Sequence, residues 1–203
     1  MIKTIIFDFG NIFINLDSEG AMKNALQLFE LDTFPEELIA INCLYEEGLI
    51  STEEFIDFYQ ENFPKLSEKD IIAAWNCILL DFPIHRLEFI QKLASDKNYK
   101  LILLSNTNEL HIKWVKENIP FYDDFRNCFD AFYLSHEINL RKPNAAIYEF
   151  VLKKNNLKSS ETLFIDDVEA NTQSASKLGM HTWNIDEKTE DITTLFTTKS
   201  DLF

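Results

Sequence analysis

The chain has 203 residues, with 34 acidic against 19 basic side chains, a formal net charge of -15 and 46% hydrophobic content. That length fits one domain with a small insertion, and the apolar fraction is ample for a packed core, which excludes intrinsic disorder. The acid excess excludes nucleic-acid binding by counterion release and docking of a basic patch on an anionic membrane, so small molecules and other proteins remain as partners.

In chain order, the first signal is the apolar run Thr4–Phe7, a predicted strand that ends at Asp8 and Gly10, one of only four glycines. From residue 16 to residue 83 the strand signal is absent. Helical periodicity replaces it over 21–31, 36–45, 52–63 and 69–80. Ser51 precedes Glu54 by three residues, and Ser67 precedes Asp70 in the same way, so both open helices with capping boxes. Asp17 is expected to cap the first of these helices. Pro35 suits the start of the second and Gly48 its end.

Beyond the insertion, strands and helices alternate. A helix is predicted over 87–93, a strand over 101–104 ending in Ser105-Asn106, and a helix over 109–115. A weaker strand over 132–134 and a helix over 145–152 follow. A strand over 162–165 ends in Asp166-Asp167, a helix over 170–178 is closed by Gly179, and a strand is expected over 182–185. The threonine-rich tail from Glu187 is expected to fray. The alternation predicts an α/β fold with a parallel sheet, residues 1–15 and 84–203, carrying an all-helical insertion over 16–83.

Charge divides along that line. Residues 17–82 hold 15 acidic and 3 basic side chains, a net -12, which leaves -3 for the remainder. Cys43, Cys77 and Cys128 lack any C-x-x-C spacing and are expected as reduced core residues. His85, His111, His136 and His181 lack metal-ligand spacing and are expected at the surface or at strand edges. Phe55, Phe58, Tyr59, Phe63 and Trp75 recur at helical spacing and are expected to form the core of the insertion. No leader of signal-peptide form follows Met1, and the longest uncharged run, residues 71–80, is too short to span a bilayer, so a cytoplasmic protein is expected.

The candidate chemistry lies at the strand tips, where open α/β sheets bind ligands. Asp8 is a candidate nucleophile or metal ligand. The adjacent carboxylates of Asp166 and Asp167 repel one another unless a cation compensates, and magnesium takes such oxygen ligands while keeping positions for water and phosphate. Lys142, beside Pro143, offers an ammonium to Asp8 or to a phosphate oxygen. Ser105 and Asn106 offer a hydroxyl and an amide to an incoming anion.

In this order, Phe7-Asp8-Phe9-Gly10-Asn11, Leu104-Ser105-Asn106, Arg141-Lys142-Pro143 with Ile147-Tyr148, and Phe164-Ile165-Asp166-Asp167 with Asn171 and Gly179 resemble the four motifs of the haloacid dehalogenase-like hydrolase superfamily. The resemblance implies a Rossmann-like core with a helical cap, similar to sugar-1-phosphate phosphatase-like members. It implies an Asp8 nucleophile forming an aspartyl-phosphate, and magnesium on Asp8, the Gly10 carbonyl, Asp167 and Asp166. It further implies that Ser105, Asn106, Asn11 and Lys142 meet the phosphoryl group of a small phosphorylated metabolite, and that Asn171 orients the acidic pair. One position departs from the phosphatase pattern: Gly10 stands where a second aspartate usually acts as acid and base, help worth ~10²–10⁴ in rate. That departure leaves a non-catalytic binding or regulatory protein open as one alternative. A carbon–halogen hydrolase is another, although it would have no use for the acidic pair.

Overall fold

The computed structural model describes residues 1–203. Strand β1 (Thr4–Phe7) lies at the centre of a five-stranded sheet and is buried at every position. The four helices of the insertion follow: α1 (Ser18–Leu28), α2 (Glu36–Glu46), α3 (Thr52–Asn62) and α4 (Glu68–Asn76). Then come α5 (Ile84–Asp96), β2 (Lys100–Ser105), α6 (Glu109–Asn118), α7 (Tyr122–Arg126), β3 (Ala131–Leu134), α8 (Ser135–Ile138) and α9 (Ala145–Lys154). The chain closes with β4 (Thr162–Asp166), α10 (Glu169–Lys177), β5 (His181–Asn184) and α11 (Leu195–Thr198). All strand pairs are parallel, in the order β3-β2-β1-β4-β5.

The register explains why the strands read as unbroken apolar runs. Ile5 and Phe7 pair in phase with Leu101 and Leu103 on one side and with Leu163 and Ile165 on the other, and these residues face one core layer. Ile6, Ile102, Leu104 and Phe164 face the opposite layer, under α9 and α10. Both faces are covered, so neither strand face needs polar residues. Each such side chain contributes roughly 1.5–3 kcal/mol by leaving water.

The four-helix insertion has its own apolar cluster, with Phe55 and Tyr59 almost fully buried and Phe58, Phe63 and Trp75 packed against it. Both expected capping boxes form, at Ser51–Glu54 and Ser67–Asp70. Asp17 caps α1, accepting from the Gly20 N–H at 2.8 Å, and the helix therefore starts three residues before the predicted position. The insertion joins the sheet through a short ladder: Leu16 bridges Leu79, and Asn15 and Asp81 bond through backbone and side chain. Buried Arg86 secures the same junction, donating to the Asn15 side chain at 2.9 Å and to Asp191 at 2.9 Å.

That last bond also corrects the expectation of a frayed tail. Ile192 and Leu195 are buried, and Phe196 packs on Phe89 and Tyr99, so a few apolar residues among the threonines dock the tail on α5 and the end of β2's approach. The cysteines also differ from expectation. Cys77 is exposed, and Cys43 and Cys128 are only partly covered. No helix is long and apolar enough to cross a membrane.

Candidate active site

Two neighbouring strand tips place the three acidic residues together. Asp8 follows β1, Asp166 ends β4 and Asp167 comes next, and because β1 and β4 are paired in register their tips coincide. The ligand oxygens of these three carboxylates all lie within 4.8 Å of one another. Lys142, whose side chain is about 1% exposed, bridges two of them: its Nζ lies 2.8 Å from Asp8 Oδ1 and donates to Asp166 Oδ2 at 2.6 Å.

Each group is held by a second set of bonds. Asn171 Nδ2 donates to both Asp166 oxygens at 2.9 and 3.1 Å, and the Val168 N–H donates to Asp166 Oδ1 at 2.9 Å. Tyr148, as its hydroxyl donates to the Asn171 carbonyl at 2.9 Å, in turn steadies Asn171. Asn106 grips the Lys142 backbone from both sides, its Nδ2 donating to the carbonyl at 2.9 Å and its Oδ1 accepting from the N–H at 2.9 Å. Asn11, in the left-handed conformation at φ 54°, donates to Asp167 Oδ2 at 2.9 Å and accepts from the Leu16 N–H at 3.0 Å. Both ends of the Asn106 and Asn11 amides are therefore engaged with protein, and these two residues position Lys142 and Asp167. Ser105 is buried at the tip of β2, with only a long 3.4 Å bond to the Asn106 carbonyl.

Electrostatics set the character of the site. Burial pushes the Asp8 carboxyl up to about 7, opposed by Lys142 and reinforced by Asp166 and Asp167. Asp167 is also raised, chiefly by burial. Burial alone would lower Lys142, but Asp166 and Asp8 outweigh it and hold the ammonium charged. One ammonium faces three carboxylates, so the cluster calls for further positive charge. A hard divalent cation suits it: the donors are carboxylate oxygens, and the Gly10 carbonyl, which accepts one bond from the Ile12 N–H at 2.6 Å, keeps a second lone pair. At Gly10 itself a Cβ would come within 2.7 Å of Leu16 Cδ1, so an aspartate there would require Leu16 to move.

A cavity of about 180 Å³ opens beside these groups, with Gly10, Ser105, Asn106, Glu46 and His111 on its wall. A second, of about 360 Å³ and largely apolar, lies against the helical insertion and shares Glu46, Ile78 and His111 with the first. A larger cavity of about 670 Å³ contains none of the strand-tip residues, so volume is no guide to the chemistry here.

Residues 5–185 match the family described as haloacid dehalogenase-like hydrolase. The chain belongs to that family. It is 30% identical to D-ribitol-5-phosphate phosphatase of Bacteroides thetaiotaomicron, over 90% of this chain and 91% of that protein. A Bacteroides thetaiotaomicron family enzyme solved as a magnesium complex superimposes with a TM-score of 0.84 at 37% identity, covering 96% of this chain and 98% of that one. The wild-type form solved with magnesium and inorganic phosphate gives 0.81 at 36% identity, covering 97% and 100%. Dehalogenases of known structure share the fold at only 17–18% identity.

Several long-range contacts at the site carried no sequence signal. Ser135 Oγ accepts from the Thr107 N–H at 2.9 Å and lies 2.6 Å from the Glu46 carbonyl, coupling the β2 tip to α2. Asn139 donates to the Glu47 carbonyl at 2.8 Å, and Gly48, at φ 63°, packs so tightly on the His136 carbonyl that no Cβ would fit. His111 is neither a surface nor a strand-edge residue. Its Nε2 lies 3.1 Å from the Trp75 carbonyl and its Nδ1 lies 3.2 Å from Asn108 Nδ2, and burial holds the imidazole down at about 4, neutral near pH 7.

Proposed function

We propose that the chain is a magnesium-dependent phosphatase that hydrolyses a small phosphorylated metabolite through an aspartyl-phosphate on Asp8. The observation that carries this reading is Lys142 bridging Asp8 and Asp166 beside Asp167, an oxygen-rich cluster at the C-terminal ends of β1 and β4. Asp8, Asp167, Asp166 and the Gly10 carbonyl would hold the cation, which when bound neutralises the cluster and polarises a phosphoryl oxygen.

In this reading Asp8 attacks phosphorus with one carboxylate oxygen, while Lys142 holds the nucleophile in place and offers its ammonium to charge developing on the phosphoryl oxygens. Ser105 meets one of those oxygens. Asn106 and Asn11 act through Lys142 and Asp167. Residues 16–83 form a cap over the core of residues 1–15 and 84–203. The match over nine-tenths of both chains to a D-ribitol-5-phosphate phosphatase makes an open-chain pentitol phosphate the leading substrate, with other sugar phosphates behind it. Carbon–halogen hydrolysis is not favoured, because it gives three clustered carboxylates nothing to do.

The test is phosphate release from pentitol and sugar monophosphates with magnesium. Release should stop on chelation and fall on the order of 10⁴-fold or more in Asp8→Asn, as for loss of a nucleophile. Release that survives either treatment, or no release from any of these substrates, overturns the reading.

A further inference from the structure

A phosphatase of this design needs a proton donor for its leaving oxygen, and at the usual position the chain has Gly10. On the wall of the 180 Å³ cavity that contains Gly10, two residues titrate, His111 and Glu46. His111 is unsuitable: both ring nitrogens are committed, and it stays neutral through the working pH range. Asp17, the nearest other carboxylate along the chain, is held as the cap of α1 by the Gly20 N–H. Lys142 is locked between two carboxylates.

We propose that Glu46, delivered by the last turn of α2, is the acid–base catalyst that stands in for the aspartate absent at position 10; the proposal rests on the phosphatase reading above. Its carboxylate is fixed by Arg141, whose Nε and Nη2 both donate to Oε2, at 3.2 and 2.8 Å, leaving Oε1 without a protein partner. The helix end that carries it is anchored to the sheet through Ser135, Asn139 and Gly48. The charged groups facing it are Arg141, Lys142 and Glu47, with His111 neutral across the cavity. Burial raises the Glu46 carboxyl, against the lowering by Arg141.

The proton balance closes over two steps. Protonated Glu46 gives its proton to the leaving oxygen as the P–O bond breaks toward that oxygen and Asp8 bonds to phosphorus. The Glu46 carboxylate then takes a proton from water as the water oxygen attacks phosphorus and the Asp8–phosphorus bond pair returns to Asp8. Orthophosphate leaves and Glu46 is protonated again.

The experiment compares ribitol 5-phosphate, whose alkoxide needs a proton, with p-nitrophenyl phosphate, whose phenolate leaves without one. Glu46→Gln keeps an acceptor for Arg141. It should lower kcat on the alkyl ester by ~10²–10⁴ and on the aryl ester by less than about 10-fold, and abolish the pH limb that reports a protonated acid. Arg141→Met should keep that limb and move it to higher pH. Equal losses on both esters, or no loss on either, overturn the assignment, while abolition of both reactions by Asp8→Asn keeps the phosphatase reading intact. Wild-type protein that hydrolyses neither ester overturns both.

Discussion

The α/β core and the helical insertion supply the same crevice by different means. Core groups sit on adjacent parallel strand tips, where register brings Asp8, Asp166 and Asp167 within 4.8 Å and side-chain amides lock Lys142 and Asp167. The insertion reaches the crevice through docking: α2 is held by Ser135, Asn139 and the Arg141–Glu46 pair, and α4 by His111. Charge divides the same way, with -12 of the net -15 on residues 17–82. In the proposed mechanism, bond making falls to the nearly neutral core and proton delivery to an acidic element held by a seam of polar contacts.

If the core site is a single charge network, Lys142→Met should have the largest effect on stability. It leaves Asp8 and Asp166 uncompensated, and breaking a buried pair of this kind costs about 3–5 kcal/mol. Urea midpoints in the absence of metal should fall by that equivalent at pH 7.5 and by less near pH 5, where the carboxylates take up protons; an unchanged midpoint would separate Lys142 from the network.

The seam should answer to pH through His111. Its folded value near 4 lies below the ordinary 6.5, so the unfolded chain binds the proton first as pH falls. That contribution is fully present above about pH 6.5 and is lost toward pH 4, roughly 3 kcal/mol in all. Denaturation midpoints of the wild type should slope downward across this window and those of His111→Gln should be flatter by that amount; parallel slopes would remove His111 from the seam.

The smallest effect concerns the acidic insertion. Monophosphates should be turned over several-fold faster than bisphosphates in kcat/KM at low ionic strength, and the ratio should shrink as salt screens the insertion. A ratio near one at low salt would mean that the insertion's charge does not reach the crevice.

The strands were legible because they are covered on both faces, so Thr4–Phe7, Leu101 to Leu104 and Thr162 to Ile165 read as unbroken apolar runs. Ser51 and Ser67 marked helix starts through local bonds, which sequence spacing captures. Helices α7 and α8, of five and four residues, are too short for periodicity, and the docked tail depends on isolated Ile192 and Leu195. At the site, Asp8, Asp166 and Asp167 stood out because they end or follow apolar strands, and Lys142 because it stands beside Pro143. The positioning work of Asn106 and Asn11 did not, since their partners lie 36 and 156 residues away. Glu46 was one of 15 acids in its segment, and only contact with Arg141, 95 residues on, sets it apart.

The proposed mechanism turns on a covalent Asp8–phosphoryl intermediate in a crevice shared by these two regions. Hydrolysis of a phosphorothioate ester made chiral at phosphorus with two oxygen isotopes, run in water of the third, tests it, because sulfur keeps the released thiophosphate chiral and two successive in-line displacements retain configuration whereas one inverts it. The structure predicts net retention; inversion would place water, not Asp8, as the attacking nucleophile and contradict the account.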